Sequence, residues 1–89
     1  MGVFGGAKVL NELKNFPKVV GIKQLRKALN RGEVLRVYLA QDADPALTEP
    51  LEALAKEKLI PVDWIPAMKE LGQACGIAVG SAAAGLLRK

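Results

Sequence analysis

The stretch from Glu33 to Gln41 holds Val34, Leu35, Val37, Leu39 and Ala40. It is strand-length and too densely apolar to show the alternation of a strand with one wet face, so it reads as a strand buried on both faces, at the centre of a sheet. Such a strand needs cover on both sides.

The flanking sequence supplies that cover. Val9, Leu10, Leu13 and Phe16 recur at helical spacing, predicting a helix over residues 7–15 that starts somewhere after Gly5 and Gly6 and is closed by Pro17. Lys18 to Ile22 is a short β-branched stretch. Gly21 then marks a sharp entry into a helix from Lys23 to Arg31, with Gly32 where a left-handed cap is favoured. Asp44 and Pro45 form a good N-cap and first-turn pair, but Pro50 would break a helix interior, so one turn followed by a helix from Thr48 to Lys58 is expected. Ile60 to Ile65 reads as a strand with Pro61 at its start and Pro66 at its end, Ala67 to Cys75 as a helix capped by Gly76, and Ala82 to Leu87 as a last strand. Helices alternating with strands predict an α/β fold: a three-layer α/β/α sandwich with a four-stranded mixed central sheet. At 89 residues, with no repeat, linker or low-complexity tract, the chain is expected to form a single domain over residues 1–89.

Composition excludes several classes of function. The chain has no histidine and one cysteine, Cys75, so an intramolecular disulfide, the usual zinc constellations and Ser-His or Cys-His nucleophile pairs are all ruled out. No enzyme, metal or cofactor is expected. Apolar runs such as Val37 to Ala40 and Ile77 to Val79 are far shorter than the roughly 20 residues that span a bilayer. The first ten residues lack the charged-then-apolar order of a signal peptide, so a cytoplasmic location is expected.

The formal charge of +4 is unevenly distributed. Lys8 to Arg36 holds eight basic residues against Glu12 and Glu33, a local net of +6, which leaves −2 for the remainder; Asp42 to Glu57 has five acids against Lys56 alone. One electropositive and one acidic face are expected, an asymmetry suited to holding a polyanion in one orientation.

Two places are candidates for function. In the second predicted helix Leu25, Ala28 and Leu29 share one side, while Lys23, Gln24, Arg26, Lys27 and Arg31 share the other. Lys23 and Lys27 lie near the helix start, where unpaired N–H groups and the macrodipole already favour an anion and where lysine is disfavoured unless something negative binds. Gly21 leaves room for close approach. Those residues also fit an ordinary solvated helix surface. The second place is Gly76-Ile77-Ala78-Val79-Gly80, a glycine-flanked loop with two large apolar side chains. Ile77 and Val79 either stay partly exposed and pack on unstacked bases or turn inward and plug the core; the pattern leaves both open. Elsewhere, Asp42 and Asp44 suggest an acid pair, but capping by Asp44 and turn formation by Asp42 account for them. Lys69 is within reach of a phosphate or simply surface, Trp64 is suited to capping a sheet end, and Cys75 reads as a small buried helix residue.

The segment Gly21-Ile22-Lys23-Gln24-Leu25-Arg26-Lys27-Ala28-Leu29-Asn30-Arg31-Gly32 resembles the signature of the ribosomal protein L-seven-Ae family of kink-turn RNA binders, and its bacterial members above all. The resemblance continues through Val37-Tyr38-Leu39-Ala40-Gln41-Asp42-Ala43-Asp44-Pro45, then Ile60-Pro61-Val62, then Met68 to Val79, in the family's order. It implies an α/β/α sandwich that recognises the kink-turn, an internal loop with tandem sheared G·A pairs beside a bulge. By position it implies Lys23, Gln24 and Lys27 on guanine edges and nearby phosphates, Gly21 permitting close packing, Arg31 on the backbone, and Ile77, Ala78 and Val79 over the bulged nucleotides. Archaeal and eukaryotic members typically carry Asn-Glu where this chain has Lys23-Gln24, and Ala78 is smaller than many residues found there; both departures look bacterial. The resemblance further implies a monomeric ribosomal or ribosome-associated protein whose partner is structured RNA, for example ribosomal RNA or a riboswitch. The alternative from another class is a protein-interaction or assembly module on the same fold, using the acidic stretch or the apolar loop.

Overall fold

Val37, Tyr38, Leu39 and Ala40 expose none of their surface in a computed structural model that describes residues 17–77 and 79–88. They lie in β2 (Val34–Ala40), and the elements around it are β1 (Lys18–Val20), α1 (Ile22–Arg31), α2 (Pro45–Glu57), β3 (Val62–Ile65), α3 (Met68–Ala74) and β4 (Ala83–Leu87). The helix expected over residues 7–15 lies outside the described residues. Among the described residues the sheet has four strands in the order β1-β4-β2-β3, with β2 parallel to β3 and antiparallel to β4, and β1 antiparallel to β4. The sheet is mixed and β2 is interior, as its apolar density implied.

Alternate residues of β2 feed two cores. Val37 and Leu39 join Leu25, Ala28, Leu29, Leu51, Ala55 and Ala83, while Tyr38 and Ala40 join Ile65, Leu71, Ala74, Cys75, Ala84 and Leu86. Hence α1 and α2 cover one face and α3 the other, which is the expected α/β/α sandwich. Each large side chain buried this way contributes about 1.5–3 kcal/mol against leaving it in water. Because α1 and α2 share a layer, the basic and acidic surfaces adjoin one another.

Local sequence chemistry sets the element ends. Gly32 sits at φ 73°, and the N–H groups of Gly32 and Glu33 take two of the four carbonyls that end α1, those of Leu29 and Ala28. In α2 the Asp44 carboxylate accepts from the Ala46 N–H (3.0 Å) and Pro45 occupies the first turn. The expected interruption between a first turn and a helix starting at Thr48 does not occur: α2 is one helix from Pro45 to Glu57 with Pro50 inside it. Pro50 has no N–H to offer the Ala46 carbonyl, yet Ala46 and Pro50 are both exposed, so water can satisfy that oxygen. Burial of Thr48, Leu51 and Ala55 on the other side keeps the helix continuous. At β3 the strand begins at Val62, not Ile60; Pro61 precedes it and serves only as acceptor, its carbonyl taking the Val37 N–H (2.9 Å).

One contact brings α1 close to the sheet. A Cβ added at Gly85 of β4 would stand 2.5 Å from Leu25 Cδ1, 3.4 Å from Val34 Cγ1 and 3.5 Å from Val19 Cγ2. Gly85 is therefore the space Leu25 occupies. Gly85→Ala is expected to destabilise the protein by about 1–3 kcal/mol through overpacking, measured by urea unfolding; an unchanged midpoint would show that α1 has room to lift.

Candidate functional site

Topology decides where the two candidate segments meet. The C-terminal ends of β1, β2 and β3 and the N-terminal end of β4 lie along one rim of the sheet. In open α/β sheets that rim is where ligands usually bind. Chain segments leaving it are stitched together: the Gly21 N–H donates to the Ala83 carbonyl (2.9 Å), Ala40 to Ala82 (3.0 Å), Gln41 to Ile65 (2.8 Å) and Ser81 to Met68 (3.0 Å). The start of α1 and the loop before β4 thus share one end of the molecule, although more than forty positions separate them in sequence.

At that end Gly21 holds φ 104°, a region open to glycine and rarely to other residues, and, having no side chain, it offers the helix behind it no cap of its own. There is no acid in the first turn of α1. Lys23, Gln24, Lys27 and Arg31 are all exposed on the side away from Leu25, Ala28 and Leu29, as expected, and so is Arg26. Positive side chains beside a helix N-terminus repel its dipole, and an anion bound there relieves that repulsion. Arg36, counted with the basic set, has a different role: its Nη1 pairs with Asp63 Oδ2 at 2.7 Å, linking β2 to β3.

The loop divides its two large apolar residues. Ile77 is half-buried and Val79 is 70% exposed, so Ile77 turns partly inward while Val79 faces solvent. Ala78 lies outside the described residues. Trp64 stands partly exposed on the edge strand β3, and Lys69 is exposed early in α3.

Two structural roles had not been read from sequence. Asp42, expected only to form a turn, accepts the Met68 N–H through Oδ1 at 2.8 Å and so caps α3 from 26 residues away. Met68 also holds the end of the loop through its carbonyl, so this bond anchors the whole rim segment. Gly72, in the interior of α3, lies against the loop backbone at Val79 and Gly80. A glycine inside a helix was the available signal, since helices disfavour it without a packing reason. Cys75 is buried directly after α3. Burial pushes its thiol above the usual range, with nearby Lys18 opposing in part.

A family of α/β/α sandwiches accounts for this architecture and for the sequence together. The chain belongs to the Ribosomal protein L7Ae/L30e/S12e/Gadd45 family, whose profile matches residues 7–89. It is 48% identical over 68 residues to an RNA-binding protein of Halalkalibacterium halodurans, covering 76% of this chain and 83% of that one. It is 46% identical over 70 residues to RNA-binding protein YbxF of Geobacillus stearothermophilus, covering 79% and 85%. In three dimensions it is similar to a 15.5 kD RNA-binding protein of Giardia lamblia, with TM-score 0.87 and 27% identity over 93% of this chain and 73% of that one. A Bacillus halodurans protein of unknown function has the same fold, with TM-score 0.80 and 25% identity over 89% and 83%.

Asp42→Ala is expected to cost about 0.5–2 kcal/mol of stability through loss of the α3 cap, and Asp42→Asn much less because its carbonyl still accepts. Paired chemical unfolding curves test this; equal losses in both variants would mean that the carboxylate charge, not the hydrogen bond, matters. The raised Cys75 pKa gives stability that is full below the thiol's unfolded pKa and falls as pH rises toward the folded one, because above the first value the unfolded state alone releases the proton. Alkaline unfolding curves of Cys75→Ala should lack that component.

Proposed function

We propose that this protein binds RNA and recognises kink-turns, using the start of α1 on the G·A pairs and the loop before β4 on the bulge. The observation that carries this reading is convergence: a cationic helix start and an exposed apolar Val79 occupy one rim. Phosphate and base contacts need different chemistry, and the two segments supply one each. Lysines and the N–H groups of α1 suit phosphates and the hydrogen-bond acceptors of guanine. The Gln24 carbonyl suits a guanine amino group. Val79 suits the face or sugar of an unstacked nucleotide, which a regular A-form helix does not present.

Family membership, and relatives that are RNA-binding proteins, support the same reading. Lys23, Gln24, Lys27, Arg31, Ile77, Ala78 and Val79 are the proposed contacts, with Gly21 giving clearance. The protein acts as a monomer on structured RNA in the cytoplasm, on or near the ribosome, with no catalytic step and no cofactor.

The primary test compares a kink-turn RNA with a fully paired duplex of equal length and charge. Clear preference for the kink-turn is expected; equal binding would reduce the interaction to non-specific electrostatics. Failure to bind either would turn attention to a protein-assembly role.

Single substitutions separate the contacts. Gln24→Ala is expected to cost about 1–3 kcal/mol on the kink-turn, and little on an RNA whose G·A pairs have been replaced. Arg31→Ala should weaken all RNAs alike and lower the salt slope by about one unit. Because Val79 is exposed, Val79→Asp should lose affinity at unchanged melting temperature, whereas Ile77→Asp should lose both. Isothermal titration and thermal melts on these four proteins provide the readout.

A further inference from the structure

The loop before β4 is held against α3 from both ends. The Ile77 N–H donates to the Gly72 carbonyl (3.0 Å), and the Ser81 N–H donates to the Met68 carbonyl (3.0 Å). Ser81 is buried, and its hydroxyl donates to the Ala83 carbonyl at 2.7 Å, fixing the exit into β4. Met68 and Gly72 are one helical turn apart, so both anchors stand on the same side of α3.

Between the anchors the backbone at Val79 and Gly80 lies directly on the helix. A Cβ at Gly72 would overlap the Val79 carbonyl oxygen outright and stand 3.0 Å from both the Val79 carbonyl carbon and Gly80 Cα. A Cβ at Gly80 would stand 3.1 Å from the Met68 carbonyl carbon and Cβ and 3.2 Å from its carbonyl oxygen. Neither glycine has the positive φ that marks Gly21, Gly32 and Gly76. What these two positions require is space. Any side chain at Gly72 pushes the Val79 carbonyl outward by about 1 Å or more to reach ordinary contact distance.

We infer that Gly72 is a positioning residue for RNA recognition: its bare Cα seats the Val79 carbonyl and so sets how far the exposed Val79 side chain stands out from the rim beside α1. Gly80 acts the same way, more weakly, against Met68. The inference rests on the kink-turn reading, because the position of Val79 matters only if Val79 meets RNA. It adds a residue buried in α3 that controls recognition without touching the nucleic acid.

A double-substitution cycle tests it. Gly72→Ala, Val79→Ala, the pair together, and Gly80→Ala are titrated with a kink-turn RNA and with a paired duplex, and each protein is melted. Gly72→Ala is expected to weaken kink-turn binding about tenfold while duplex binding stays within about twofold, and to add less than about twofold in the Val79→Ala background, since residues acting through one contact are not additive. Gly80→Ala should show the same pattern at smaller size. If Gly72→Ala does not fold, Gly80→Ala decides on the same criteria. Wild-type affinity in the folded variant, equal loss on both RNAs, or penalties that simply add in the double variant would overturn the inference. A wild-type protein without kink-turn preference would overturn the underlying reading first and the inference with it.

Discussion

Burial of β2 on both faces is the constraint on which the rest of the structure depends. Val37 and Leu39 on one side, and Tyr38 and Ala40 on the other, each need an apolar partner layer. A single helical layer would leave one pair in water at a cost of several kcal/mol. The sandwich follows, and with it the placement of α1 beside α2 and of α3 opposite. β2 also runs parallel to β3 and antiparallel to β4. That choice brings the end of β2, the end of β3 and the start of β4 to one rim.

The rim is built from backbone contacts as much as from side chains. Gly85 lets Leu25 bring α1 close to the sheet, and Gly72 lets Val79 and Gly80 lie against α3. Asp42 ties the start of α3, and with it Met68, to the turn after β2. None of these three residues is a proposed RNA contact. Each fixes the height or angle of an element that carries one. The proposed RNA surface gains from such rigidity, because ordering a loose loop on binding costs affinity.

Much of the candidate site could be read along the chain, because its two parts are local. Lys23, Gln24, Lys27 and Arg31 share a helix face by periodicity, and Gly21 announces the sharp turn before them. The loop stands out because Ile77 and Val79 are large and apolar between glycines. What periodicity could not tell was which of the two points outward. Ile77 is drawn in by its backbone bond to Gly72, whereas Val79 has its carbonyl seated on Gly72 and leaves its side chain in solvent. The start of α2 was misjudged on account of Pro50 for a related reason: the local cost of one lost hydrogen bond is visible in sequence, but the burial of Leu51 and Ala55 that outweighs it is not.

By itself the sequence determined the element order from β1 onward, the interior strand, the α/β/α class, the cationic face of α1 and the lack of histidine chemistry. These depend on composition and on repeats of two or 3.6 residues, which act over short distances along the chain. Only the tertiary structure decided that the start of α1 and the loop before β4 share a rim, that Asp42 caps a helix 26 residues on, that Arg36 is tied to Asp63, and that Gly72 and Gly85 serve as seats for other parts of the chain. Those facts depend on strand order and direction and on which atoms fill a given space. Contacts between distant residues carry no periodic signature, so they appear only once the sheet is assembled.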